Sequence, residues 1–323
     1  MTADLIVHGF AGIGWSEGML PLGLADVGLE LDWAACRTRS DAGHATVQCD
    51  VADYPTEPFR GRTVGKVDSP PCQAYSRSGG RLGLHDRPLV AQAVEDLARG
   101  RDTRAAIKAA CLDERSILTA EPMRWHYDLR PQWIAMEQVP AVLPLWGQYV
   151  EILRDWGYSA ACGVLDAADF GLPQHRKRAV LVASRVAEVR LPEPTHGFGL
   201  GLLPHVSMAE AIGWGYTRRP APTVTGGGTA TGGAEPFGNG TRRAMKAAAE
   251  RVGEWRERVG VTHMRPTLAE AAVLQGFRPG LVFAGRAGQR YLQVGNAVAV
   301  PFATAVLSAA TGLPSAAALP AAA

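Results

Sequence analysis

Pro70-Pro71-Cys72-Gln73, followed by Ala74-Tyr75-Ser76, presents one cysteine where it could act as a nucleophile. Val64 to Val67 reads as a short strand. The two prolines after it can neither continue a helix nor donate to a central ladder, so the chain must leave the sheet before Cys72. A loop beyond a strand end is where open α/β sheets bind ligands and carry out chemistry. Taken alone, Cys72 also reads as a buried, inert thiol, the commoner fate of a single cysteine. A second signal lies near the N-terminus. An apolar strand over Leu5 to Val7 runs into the glycine-rich turn Gly9-Phe10-Ala11-Gly12-Ile13-Gly14, with an apolar helical stretch starting near Ser16. Such a turn lets backbone approach a ligand closely. It lacks the third glycine of the dinucleotide fingerprint. Glu30 falls where a second strand should end and Asp50 where a third should. Carboxylates there suit ribose hydroxyls and an amino group, and they read equally as surface acids.

A sheet must position these residues. Strand candidates lie at 4–8, 27–31, 46–49, 64–68, 132–136, 160–165 and 179–183, with helical stretches between several of them. That alternation predicts an α/β domain. The segment Leu89 to Trp125 is longer than a crossover requires, and Ala91 to Ala98 and Thr103 to Thr119 read as two helices. Pro192 to Gly240 is dense in Gly, Pro and Thr. Arg242 to Arg258 carries an apolar stripe at Met245, Ala249, Val252, Trp255 and Val259, which predicts a helix. Ala309 to Ala323 is an Ala/Pro tail expected to fray. Lys66 and Asp68 are unusual in a strand that should be buried on both faces. Alternate strand residues share a face, so the two can pair.

Composition sets outer bounds. At 323 residues and 47% hydrophobic, the chain can bury a large core and suggests one large unit with a smaller one. Its net charge of +2 leaves a nucleic-acid partner to be met by local basic patches. The cysteines at 36, 49, 72, 111 and 162 form no close pairs, which argues against a metal cluster or disulfide framework and for a reducing compartment. No signal peptide or membrane span is read, so a cytoplasmic protein without a membrane or metal partner is expected.

In this setting the chain resembles the cytosine-5 methyltransferase family, in order and over roughly nine-tenths of its length. Phe10-Ala11-Gly12-Ile13-Gly14 resembles the first family motif, Glu30 the second, Asp50-Val51 the third and Pro70-Pro71-Cys72-Gln73 the fourth. Met136-Glu137-Gln138-Val139 resembles the sixth and Gln174-His175-Arg176-Lys177-Arg178 the eighth. Arg265-Pro266-Thr267-Leu268 with Leu274-Gln275-Gly276-Phe277 resembles the ninth, and Val294-Gly295-Asn296-Ala297-Val298 the tenth. Trp15-Ser16-Glu17-Gly18 and Thr225-Gly226-Gly227-Gly228 resemble the actinobacterial and actinophage branch. Trp15 replaces the usual second glycine of the first motif, and Gln138 the usual Asn after the motif-six glutamate.

The resemblance implies a doubly wound, Rossmann-like sheet, S-adenosylmethionine as cofactor, and methylation of cytosine carbon 5 in double-stranded DNA by a monomer. Carbon 5 is a poor nucleophile until a thiolate adds to carbon 6, the role implied for Cys72. Glu137 would relieve charge at ring nitrogen 3, for which its pKa would need to be raised. An arginine would fix the exocyclic oxygen, Arg176 ahead of Arg178. The sequence names no base for the carbon 5 proton. Phe10, Ala11, Gly12, Ile13, Gly14, Glu30, Asp50, Val51, Pro71, Leu89, Asn296 and Val298 would hold the cofactor, the last two because the C-terminal helix returns to the first domain.

A loop of Gln73, Ser76, Arg77, Ser78, Gly79, Gly80 and Arg81 would close on DNA, its glycines allowing movement and its arginines meeting phosphates. The roughly 80 residues 185–262 would hold target recognition, with backbone at Thr223 to Gly233 and the basic Arg242, Arg243, Lys246 and Arg251 near phosphates. So short a region predicts a short or relaxed target. The expected division is 1–190 catalytic, 191–262 recognition, 263–308 returning and 309–323 tail. The alternatives are a tRNA relative, whose Cys-Phe-Thr signature is not visible, a free-nucleotide methyltransferase, and a catalytically silent DNA-binding relative.

Overall fold

The computed structural model describes residues 4–76, 80–226, 242–260 and 265–314, with backbone alone at 242–244. Short apolar runs, most of them closed by glycine, proline or an acid, form seven strands of one sheet. In chain order they are β1 (Leu5–Gly9), β2 (Val27–Glu30), β3 (Ala45–Gln48), β4 (Thr63–Asp68), β5 (Trp133–Gln138), β6 (Ser159–Asp166) and β7 (Lys177–Ser184). The spatial order is β3-β2-β1-β4-β5-β7-β6, with β7 antiparallel to both neighbours. Strand order reverses between β1 and β4. That is the switch point at which doubly wound sheets open a crevice beyond the strand ends. Register aligns Gly9 with Asp68, and Asp68 with Met136. Phe10, Ser69 and Glu137 therefore emerge side by side.

Both faces are covered. On one, Ile134, Met136 and Leu181 pack against α3 (Gly83–Ala98), α5 (Glu121–Leu129) and α6 (Leu143–Asp155). On the other, Trp133, Ala135, Val180 and Val182 pack with Trp15 and Met19 of α1 (Gly14–Met19) and Phe302 and Val306 of α11 (Val300–Thr311). The alternation along β5 is that of a strand buried on both sides. The apolar stretch 287–311 is long enough to cross a membrane, but 61% of its most apolar window is buried in the fold. It is also divided into α10 (Ala287–Asn296) and α11.

A second core joins Met208 of α7 (Met208–Ile212), Trp214, Tyr216, Ala221 and Val224 to Ala249 of α8 (Arg242–Arg251). Ala271 and Leu274 of α9 (Leu268–Leu274), Phe277 and Val294 complete it. Core packing therefore does not divide at residue 263.

Three local expectations need correction. α3 begins at Gly83, ahead of Pro88, because Leu84 and Leu89 pack on the core and outweigh the bond that proline removes. Thr103 to Thr119 is α4 (Arg104–Ala110) followed by a 3-10 helix at Glu114–Thr119. The stripe after 242 is not one helix: α8 stops at Arg251 and Gly253 adopts φ +66°. Val252 and Val259 are consequently exposed, and Trp255 sits in β9 (Trp255–Arg256), paired with β8 (Gly215–Tyr216). Of the tail, Ala309 to Thr311 form the end of α11, with Ala310 buried, and residues 315–323 lie outside the described set.

Lys66 and Asp68 do pair, fully buried, and Asp68 Oδ2 lies 3.4 Å from Nε2 of the equally buried His126.

Candidate active site

The turn after β1 is held open by charge from beneath. Phe10 and Gly12 both take positive φ, +55° and +47°. The Glu30 carboxylate accepts the backbone N–H groups of Gly12 (2.8 Å), Leu31 (2.8 Å) and Asp32 (2.9 Å), so the end of β2 is locked to the turn. From below, buried Arg39 of α2 (Trp33–Asp41) donates to the Gly12 carbonyl at 3.0 Å and pairs with Asp26 at 3.1 Å. Asp26 also accepts from Ser16 at 2.8 Å and pairs with His8 at 2.7 Å. Asp50, exposed beyond β3, accepts the N–H of Ala52 at 2.9 Å.

Residues far apart in the chain, Gly14 and Val298, meet at this turn. A Cβ added to Gly14 would strike the Val298 carbonyl oxygen, so only glycine lets the start of α1 lie against Val298, two residues ahead of α11. A cavity of about 490 Å³ opens here. Phe10 to Gly14, Glu30, Asp50, Val51, Pro71, Asn296 and Val298 all line it. Leu89 does not: it packs in the helical layer, and Leu118 takes a place on the wall instead.

The same cavity receives Cys72. Two side chains hold its loop: Trp15 Nε1 donates to Ser69 Oγ at 2.7 Å, and Gln138 Nε2 donates to the Pro70 carbonyl. The Cys72 carbonyl then accepts from the N–H groups of Tyr75 (3.0 Å) and Ser76 (2.9 Å), turning the chain back. Burial pushes the Cys72 thiol up. Arg178 and then Arg176 pull it down, and Glu137 opposes them.

Glu137, at the end of β5, is buried and its Oε1 pairs with Arg178 Nε at 2.7 Å. The two arginines are not equivalent. Arg176 is 2% exposed and spends its terminal nitrogens on the carbonyls of Val224 (3.1 Å), Gly295 (2.9 Å) and Ala297 (2.9 Å). Burial pushes its pKa down to about 9, with Arg178 adding to the effect. Both line the cavity, and Arg178 is the one engaged with the acid.

Trp15, Ser69 and the structural use of Gln138 went unassigned in sequence. Both departures from the family pattern, Trp15 and Gln138, turn out to be the residues that tie down the nucleophile loop. Of the loop expected to close on DNA, Gln73 lines the cavity and Arg81 takes φ +58°. Arg77, Ser78 and Gly79 lie outside the described residues, as do Gly227 to Gly233 and the side chains of Arg242 and Arg243. Among the described residues no group of three or more His, Cys, Asp or Glu is arranged to hold a metal ion.

The family of C-5 cytosine-specific DNA methylases is matched over residues 104–198. The type II methyltransferase M.NaeI of Lentzea aerocolonigenes is 33% identical over 272 residues, 73% of this chain and 56% of the relative. The chain thus spans little more than half of that relative's length. M.NlaX of Neisseria lactamica, another type II methyltransferase, is 27% identical over 334 residues, covering 93% of this chain and 94% of its own. In fold, the S. pombe Dnmt2 methyltransferase superposes with TM-score 0.61 at 15% identity, over 94% of this chain and 97% of that one. With sheet order, cavity and sequence match all pointing to one group, the chain belongs to the C-5 cytosine-specific DNA methylase family.

Proposed function

We propose that this chain is a DNA cytosine-5 methyltransferase that uses S-adenosylmethionine and acts on a cytosine flipped out of double-stranded DNA. The observation that carries the reading is the placement of Cys72, Glu137 and Arg178 on one cavity with the glycine turn. At about 490 Å³ the cavity lies within the range of about 300–1,000 Å³ usual for small-molecule sites. Its polar groups suit the cofactor: the Glu30 and Asp50 carboxylates line it as acceptors for hydroxyls, and the turn offers backbone and Phe10 for an aromatic base. Pro71, Asn296 and Val298 also line it.

S-adenosylmethionine, when bound, supplies an electrophilic methyl group. The chain's own residues prepare the acceptor. Cys72 adds as thiolate to carbon 6 of the base, and electron density moves toward carbon 5 and ring nitrogen 3. Glu137 donates a proton or a hydrogen bond at nitrogen 3, and Arg178 orients that acid while steadying the adduct. After transfer, loss of the carbon 5 proton expels the thiolate and restores the ring. In this reading Gln73 and Arg81 meet the flanking strand. Residues 191–262 are the recognition region in this reading, short enough for a short or relaxed target. The protein works as a monomer in the cytoplasm.

Trapping on duplex DNA carrying 5-fluorocytosine tests this, since fluorine blocks the final proton loss. A covalent, methylated complex that needs both Cys72 and the cofactor is expected, and Cys72→Ser forms none. Failure on duplexes of varied sequence, with S-adenosylmethionine binding intact, overturns the assignment to DNA.

A further inference from the structure

Arg176 shares a buried network with Gln174 and Gln275. Both glutamines are fully buried. Gln174 accepts the Val224 N–H at 2.6 Å and donates to the Leu274 carbonyl (2.6 Å) and to Gln275 Oε1 (2.9 Å). Gln275 donates to the Val294 carbonyl at 2.6 Å and to that of Ala297 at 3.4 Å, while its own carbonyl accepts the Val300 N–H at 3.0 Å. Arg176 completes the set by donating to Val224, Gly295 and Ala297. Val224 is thus gripped at both its N–H and its carbonyl. Gly295 lies so close beneath that a Cβ there would strike the backbone of Thr225 and Gly226.

We infer that Arg176 is a positioning residue: with Gln174 and Gln275 it bolts the segment at Val224 to the cofactor wall at Gly295–Val298. This deepens the proposed function and rests on it for the identity of the cofactor. The argument is one of donor supply. Arg176 commits both terminal nitrogens to main-chain carbonyls belonging to two segments that lie 48 and about 120 residues away. Those carbonyls are buried, and buried acceptors need partners. Only a planar, multiply donating group reaches all three, so lysine is no substitute. Arg178 has the opposite disposition, with its Nε on Glu137. The bolt therefore sets the shape of the cofactor wall, and Arg178 serves the base.

The test compares Arg176→Lys with Arg178→Lys by three readouts. These are S-adenosylmethionine affinity without DNA, amide exchange at 221–226 and 294–298, and the single-turnover rate with both ligands saturating. Arg176→Lys is expected to weaken the cofactor at least about tenfold and to speed exchange in both segments, because several buried bonds are lost. Arg178→Lys is expected to lower the rate about 100-fold or more, with the smaller effect on cofactor affinity. Wild-type affinity and exchange in Arg176→Lys, with the rate lost, overturn the inference and make Arg176 a contact for the base. If Arg176→Lys does not fold, Gln275→Leu, which leaves Arg176 in place, must show the same faster exchange at 221–226 and weaker cofactor binding, or the inference fails. Affinity and exchange need no DNA. Absence of methylation by the wild type would therefore sink the proposed function and leave the bolt to be judged separately.

Discussion

Arg178 Nε lies 2.7 Å from Oε1 of Glu137, joining the entry of β7 to the exit of β5 on the cavity that holds Cys72. Pairing register explains it: Glu137 stands opposite Val180, and Arg178 is two residues from Val180 on the same face. Glu137→Gln keeps the shape and replaces the carboxyl group that the proposed mechanism sets at ring nitrogen 3. Single-turnover methylation of a saturating duplex is expected to fall about 100-fold or more, in the range of lost acid catalysis.

The Cys72 thiol is pushed up by burial and drawn down chiefly by Arg178. Iodoacetamide labelling of the free protein, read by mass spectrometry of the Cys72 peptide, should climb with pH from about 7 to 9 without levelling. Arg178→Gln removes the larger opposing charge and is expected to slow labelling throughout that range. A plateau near neutrality would show a thiolate already formed.

Trp15 and Ser69, 54 residues apart, link α1 to the nucleophile loop. Trp15→Phe keeps an aromatic ring, though a smaller one, and leaves the Ser69 hydroxyl without its donor; the lost bond costs about 1 kcal/mol, beside the cost of the space left by the smaller ring. A double-mutant cycle with Ser69→Ala, followed by denaturant unfolding, should return a coupling energy of about 0.5–1.5 kcal/mol. Zero coupling would mean the bond contributes nothing.

At Gly14 the prediction concerns the cofactor wall. An added methyl meets the Val298 carbonyl and two further backbone atoms of that residue, none of which can swing aside. Gly14→Ala should therefore push α1 and the Val298 segment apart and weaken S-adenosylmethionine by about tenfold or more, a loss of roughly 1.4 kcal/mol. Calorimetry on the protein without DNA measures it.

Burial holds His126 below its ordinary value, with Asp68 pulling the other way and Lys66 and Arg130 adding to the burial. A histidine depressed in the fold binds its proton more readily once unfolded. Stability is therefore greatest above the unfolded value of about 6.5 and declines as pH falls below it. His8, also depressed by burial, acts in the same direction. Melting temperature should drop between about pH 6.5 and 5, and His126→Phe should make that slope shallower.

Much of this was legible in sequence because it is local. Short apolar runs marked all seven strands of the main sheet, and residues just past the ends of the parallel strands were bound to gather on one edge. What escaped depends on distant partners. Arg176 and Arg178 are two residues apart in one basic run, and only the carbonyls of Val224, Gly295 and Ala297 tell them apart. Leu89 was misplaced because a proline before it hid the start of α3, which turns it toward the helical layer. The stripe past Gly253 kept a helical spacing with no helix to carry it.

Thr304 of α11 donates to the Gly18 carbonyl across 286 residues of chain, and Ala303 packs on α1 beside it. During synthesis at about 5–20 residues per second, α1 leaves the ribosome roughly 15 to 60 s before its partner is made. For that interval Trp15, Met19 and the Ala135–Val180 face of the sheet have no cover, so the nascent chain offers a broad apolar surface to chaperones and to neighbouring chains. Pausing or premature release before codon 300 should yield aggregated protein without a cofactor site, whatever the quality of the first 200 residues.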